Sequence, residues 1–343
     1  MESERVEIRH LNETDAVWIQ IKDPSVVPLP DGTYIMYCTT DAPAVAEGVR
    51  VSRFAAASPG GPWQELAPAM VHGVDGPEVC APSVVLEQKD ENSVWKMYIQ
   101  TSCFGKDGVI ALASSADGKT FNAEPTAMTK EQLPPGDIPV VGLYDVSVST
   151  VLRDGRPCDC MVFSGYRSIG CGDVYVSLRE KGAAAWEKPQ LALRQEEVPF
   201  HNRPETRNFE WGLEGAKVVQ LADDAFLMVG VCFLDKGIEE RGTRQRVFFA
   251  ASATPGGPFI PMGTPVEPTP YAEGTGENGH PDTIDLGDKL GLLYQERAGE
   301  GRPWHLRYGE MDKEELLLQV RVALVPPMPT SLWLSKMNGG PDC

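Results

Sequence analysis

The sequence contains no uninterrupted run of about 18 apolar residues, the length a helix needs to cross a bilayer, so no membrane-spanning helix is expected. It is also short of basic residues: 31 Lys and Arg stand against 49 Asp and Glu, a formal net charge of −18. No basic stripe is available to neutralise phosphates, so nucleic acid and anionic membranes are poor partners. A neutral or cationic small ligand is easier to accommodate. GxSxG and HExxH motifs are absent, and no glycine-rich phosphate loop follows a strand and opens a helix. Cys38, Cys80, Cys103, Cys158, Cys160, Cys171, Cys232 and Cys343 form neither a CxxC pair nor a Cys/His zinc spacing. Cys158-Asp159-Cys160 puts two sulfurs on one side of a strand, and they read as thiols. The opening MESERVEIRHLNE is charged and has no apolar centre, unlike a secretory signal. With reduced cysteines, these features predict a cytoplasmic protein.

What the chain does have is turn residues: 34 Gly and 29 Pro, scattered between apolar runs. That pattern predicts many short strands. Five segments share a plan of strand, Asp- or Gly-containing turn, and strand: VVPLPDGTYIMYCTT (26–40), VVLEQKDENSVWKMYIQTS (84–102), VSTVLRDGRPCDCMVFSGY (148–166), KVVQLADDAFLMVGVCF (217–233) and TIDLGDKLGLLYQERA (283–298). Asp31-Gly32 and Asp154-Gly155 are hairpin signals. After four of them comes a strand of small residues, a Gly-containing turn and an aromatic, with SPGGPW (58–63) and TPGGPF (254–259) close to duplicates. The segment EMDKEELLLQVRV (310–322) reads as a short helix or a closing strand. Units of this length with about four strands each are the signature of propeller blades. The expected fold is all-β, a five-bladed β-propeller with a central funnel. One domain spans 1–343, with blades at roughly 15–75, 76–135, 136–205, 206–270 and 271–325. A β-sandwich is the alternative architecture.

The residues just before each unit's first strand are KDPSVV, CAPSVV, YDVSVS, LEGAKV and GHPDTI. One slot then holds Asp23, Ala81, Asp145, Glu214 and His280, spaced by 58, 64, 69 and 66 residues on subtraction of their numbers. In a propeller, equivalent slots on the inner strands face one axis, so three carboxylates and an imidazole would share a pocket. Like charges without basic partners repel, which raises the pKa of one of them. The alternative is that each caps a turn, as Asp before Pro often does.

These five motifs resemble glycoside hydrolase family 43 and its five-bladed relatives, along nearly the whole chain but at motif depth. The resemblance implies that Asp23 is a general base, Asp145 an orienting and pKa-tuning acid, and Glu214 the general acid. It places His280 at a channel histidine that often lies beside calcium or water, so a structural calcium there and a simply hydrogen-bonded histidine are both open; no cofactor is required. The sequence departs from the family pattern at Cys80, Val146 and Ala216. The implied function is an inverting, exo-acting glycosidase acting on short oligosaccharides, arabinofuranoside- or xyloside-like. Inversion would need about 6.5–9.5 Å between acid and base, and Glu214 protonated beside Trp211 and Asp145. Trp18, Tyr166, Arg203, Trp211 and Arg297 are the candidate sugar-binding residues. The alternatives are a glycoside phosphorylase or transglycosidase, with Arg203 and Arg207 for phosphate, and a propeller that binds sugar without catalysis or serves other chemistry.

Overall fold

Short turns and period-two apolar runs fold the chain into successive antiparallel meanders. The computed structural model describes residues 1–11, 20–40, 49–76, 79–89, 92–102, 107–136, 139–168, 171–201, 212–235, 243–271, 274–299 and 301–325. Blade 1 comprises Ile21–Pro28, Tyr34–Thr40, Val49–Ala56 and Trp63–His72; blade 2 comprises Cys80–Lys89, Asn92–Gln100, Ile110–Ser115 and Thr120–Ala123. Blade 3 comprises Gly142–Arg153, Arg156–Ser168, Cys171–Glu180 and Gln190–Leu193; blade 4 comprises Glu214–Ala222, Ala225–Asp235, Thr243–Ser252 and Ile260–Gly263. Blade 5 takes Glu277–Asp285, Lys289–Arg297 and His305–Asp312 from the C-terminal part, and its outermost strand is Ser3–Arg5.

That last strand lies outside the blade limits expected from the sequence, which began at residue 15. Ser3 pairs with Gly309 and Arg5 with Arg307, so the two ends of the chain close the ring in one sheet. Ile8–Arg9 then runs parallel to Trp63–Gln64 of blade 1. The outer strands of blades 1 and 2 also pair in parallel, Thr120 with Met70, which fuses these two blades at their rims.

The core is divided into five clusters, one in each gap between neighbouring blades. Burial of apolar faces between sheets holds a propeller together, because a lone four-stranded sheet buries neither face. The repeated aromatics fill these gaps: Trp63, Phe121 and Phe259 are buried, and the turns before Trp63 and Phe259 both contain a cis Gly-Pro bond. Cys158 and Cys160 both sit in the cluster between blades 3 and 4 as free thiols.

Asp154-Gly155 forms a two-residue turn with φ of 53° and 72°, both positive, as a type I′ hairpin requires. Asp31-Gly32 lies in a longer loop, where Asp31 Oδ1 accepts bonds from the amide and hydroxyl of Thr33. The 310–322 segment is both things in turn. Glu310–Asp312 end a strand, and Lys313–Leu324 form helix α1, capped by Asp312 through the Glu315 amide. Leu316 and Val320 pack that helix onto blades 4 and 5. No helix among the described residues is long and apolar enough to cross a membrane.

Candidate active site

Each inner strand carries the same irregularity near its start. Pairing with the second strand slips by one residue, two residues opposing one, between Lys22 and Ser25, Cys80 and Ser83, Tyr144 and Ser147, Glu214 and Lys217, and Gly279 and Asp282. The first bulged residue is left-handed every time: Asp23 (φ 51°), Ala81 (52°), Asp145 (48°), Gly215 (52°) and His280 (43°). Non-glycine residues held there cost on the order of 1–3 kcal/mol each, and persist where the surroundings fix them.

This repeat corrects the sequence alignment in blade 4. The slot residue is Gly215, and Glu214 stands one place earlier, in register with Lys22, Cys80, Tyr144 and Gly279. Glycine meets the φ requirement without strain, and it also lets blade 5 approach. A Cβ on Gly215 would lie 3.3 Å from His280 Cα and 3.4 Å from its ring.

Two positions beyond the slot, a second layer of side chains links the blades in a ring. Ser25 Oγ accepts the Val84 amide at 2.9 Å, and Ser83 Oγ accepts the Val148 amide at 2.9 Å. Ser147 Oγ donates to the Ala216 carbonyl at 2.6 Å, Lys217 pairs with Asp282, and Asp282 Oδ2 accepts the Val26 amide at 2.5 Å. The slot and this layer line one cavity on the axis, with Lys217 and Asp282 beneath the acids.

At the top of that cavity the expected acids come together. His280 Nδ1 lies 2.8 Å from Asp23 Oδ1, and its Nε2 lies 3.5 Å from Glu214 Oε2. Ligand atoms of Asp145, Glu214 and His280 lie within 4.8 Å of one another. Tyr166 donates its hydroxyl to Glu214 Oε1, and the Gly215 amide donates to Asp145. The imidazole expected in this pocket is thus the basic partner of the acids. Burial works against charge on His280, but Asp23 and Asp145, with the bonds to Asp23 and Glu214, hold its pKa well above the ordinary value.

The same groups separate the aspartates. Burial raises Asp23, but the charge and hydrogen bond of His280, with Lys22 and Thr39, outweigh it and keep the carboxyl below its usual range. Asp145 goes the other way: burial, then the charges of Glu214 and Asp23, push it up to about 7 against the pull of His280.

Both imidazole nitrogens of His280 face carboxylates, whereas calcium takes six to eight oxygen ligands, so the contacts of this ring are those of a hydrogen-bonded histidine. The cationic group among the acids is the imidazolium.

Of the candidate sugar-binding residues, Tyr166 is 4% exposed and directs its hydroxyl to Glu214. It packs edge-on against Tyr144, centroids 4.6 Å apart, so its ring is a support for the acid rather than an open platform. Arg297 pairs with Glu277 at 2.6 Å and stacks 4.4 Å over Trp304, away from the acids in every described contact. Trp18, Arg203 and Trp211, with Arg207, lie outside the described residues. Lys217 was missed in the sequence. Its signal was present: it stands in the same place as Ser25, Ser83, Ser147 and Asp282.

Among solved structures, a thermostable family-43 glycoside hydrolase matches with a TM-score of 0.59, covering 90% of this chain and 92% of its own at 16% identity. The chain has the family-43 glycoside hydrolase fold. This family-43-like propeller also matches a family-62 α-L-arabinofuranosidase catalytic domain from Coprinopsis cinerea (TM-score 0.55, 16% identity, 89% of this chain and 96% of that one). A β-xylosidase/α-arabinofuranosidase of family 43 from a compost microbial metagenome, in complex with xylotriose and calcium-free, matches at 0.54 (15% identity, 90% and 95%). No family model and no curated protein matches the sequence.

Proposed function

We propose that the chain is an inverting, exo-acting glycosidase of short neutral oligosaccharides, arabinofuranoside- or xyloside-like. Asp23 activates water, Glu214 protonates the leaving oxygen, and Asp145 holds the proton supply and orients its neighbours. The observation that carries this reading is the imidazole of His280 set between two carboxylates, 2.8 Å from Asp23 and 3.5 Å from Glu214. Carboxylates on opposite nitrogens of one ring stand apart by the ring plus two contacts. Inversion calls for about 6.5–9.5 Å between acid and base, against about 5–5.5 Å in a retaining pair, and two carboxylates held on different nitrogens of one ring are kept from direct contact.

The rest of the cavity supports the finer points. Asp23, held ionised, suits a base; a carboxyl raised to about 7 beside Glu214 keeps a proton available near neutral pH. Lys217 and Asp282 pair in the layer next to the acids, an arrangement that suits a bound chain end better than a chain running through the channel. The described cysteines, Cys38, Cys80, Cys158, Cys160 and Cys232, are free thiols, which supports a reducing, cytoplasmic setting. No resident metal is invoked, since the imidazolium supplies the positive charge between the acids.

A panel of aryl glycosides, assayed with and without phosphate, tests the reading. Phosphate-independent release from an arabinofuranoside or xyloside, lost in Glu214→Gln and Asp23→Asn, is expected. Turnover that requires phosphate would make it a phosphorylase, and unchanged turnover in Glu214→Gln would reject the roles assigned.

A further inference from the structure

The geometry points to Gln100 and Gln295 as positioning residues that aim Asp145 and Asp23, a role that rests on the glycosidase reading above. Each catalytic aspartate sits in a left-handed bulge, and its backbone N–H points to the preceding blade. There a glutamine receives it: Gln100 Oε1 accepts the Asp145 amide at 2.6 Å, and Gln295 Oε1 accepts the Asp23 amide at 3.1 Å. Both glutamines are almost fully buried, 3% and 1% exposed. Their far ends are held too, by Cys80 Sγ at 3.1 Å and by Gln245 Oε1 at 3.4 Å.

The two occupy one register position. Gln100 faces Cys80 and Gln295 faces Gly279, each opposite the residue before the bulge. In blades 1, 3 and 4 that position holds Thr39, Ser164 and Val231. Thr39 Oγ1 accepts the Ala81 amide at 2.8 Å, Ser164 donates to the Leu213 carbonyl at 2.7 Å, and Val231 has no polar group to offer. Glutamine thus stands only where the next blade presents an aspartate. A carboxylate one carbon from Cα follows its backbone, so fixing φ at these bulges fixes where the oxygens point. Neither glutamine needs to touch substrate to do this.

The test compares Gln100→Met and Gln295→Met, which keep length and lose the acceptor, with Gln100→Glu and Gln295→Glu, which keep an acceptor oxygen. Ser149→Ala is the control, since it removes an inter-blade bond, from Ser149 Oγ to the Val218 carbonyl at 2.8 Å, outside the cavity of the acids. The Met variants are expected to lose about 10- to 100-fold in kcat with KM within about twofold of wild type, the scale of a displaced catalytic group. The Glu variants should recover most of that loss, and Ser149→Ala should lower Tm with kcat unchanged. The Glu variants also decide the matter if a Met variant does not fold: a wild-type kcat/KM pH profile in them supports retained aim, and a loss of about tenfold or more in kcat contradicts it. Met variants as active as Ser149→Ala, while Glu214→Gln is dead, overturn this assignment alone. Wild-type protein inactive on the whole panel overturns the glycosidase reading and this role with it.

Discussion

Asp23 Oδ1 lies 2.8 Å from His280 Nδ1, joining the inner strand of blade 1 to that of its neighbour, blade 5, at the axis of the propeller. The pair sets the charge pattern of the cavity. It lets one aspartate stay ionised in a buried place while Asp145, nearby, is driven towards its neutral form.

Replacing His280 by Gln removes the charge that outweighs burial at Asp23. The carboxyl should then titrate higher, so the acidic limb of the kcat/KM profile should move to higher pH. A loss on the order of 10²-fold at pH 6 is expected, the usual worth of a general base. A limb that stays in place would show that His280 does not hold Asp23 ionised.

Asp145 gives a prediction about stability. Its folded pKa of about 7 exceeds the ordinary 3.8, so between these values the folded chain holds a proton that the unfolded chain has released. Stability from this group is therefore present below pH 3.8 and declines as pH rises to about 7. Asp145→Asn carries no such loss. In urea unfolding it should be more stable than wild type at pH 7.5, by on the order of a few kcal/mol, with the difference shrinking towards pH 4.5. A difference independent of pH would contradict the raised carboxyl.

Tyr166→Phe removes only a hydroxyl, the one that donates to Glu214. With the ring still packed on Tyr144, folding should be little changed. The expected result is a fall in kcat of about tenfold or more as the acid loses its fixed direction. Wild-type kcat in this variant would show that Glu214 is held by other contacts.

Lys217→Met strips the partner from Asp282, which is 6% exposed in its side chain. Losing one member of a buried pair costs about 3–5 kcal/mol. Because Asp282 also receives the Val26 amide, the effect should appear as a loss of global stability in urea rather than of local order. A change under about 0.5 kcal/mol, the scale of an ordinary surface substitution, would remove Lys217 from the ring's closure.

Much of this was legible in the sequence because a propeller repeats its chemistry. The strand–turn–strand plan, the paired SPGGPW and TPGGPF turns and the acids before three of the five units all follow from one supersecondary element used again. The register in blade 4 was not legible from residue type. The acid of Leu213-Glu214-Gly215 drew the alignment, whereas the bulge demands a left-handed residue, and glycine meets that demand. The Ser3–Arg5 strand escaped notice because its pairing is with residues some 300 positions away and its own stretch is short and charged. His280 as the partner of two acids, and Gln100 and Gln295 behind the aspartates, are contacts between blades. They depend on the angle at which neighbouring sheets meet, and no local pattern encodes that angle.

The stereochemistry of the first product tests the account most directly. Proton NMR of the reducing sugar released from a hydrolysed aryl glycoside, followed before mutarotation, should show the anomer opposite to that of the substrate. First appearance of the same anomer would mean a covalent intermediate, and would contradict the placement of Asp23 and Glu214 as base and acid on either side of a water.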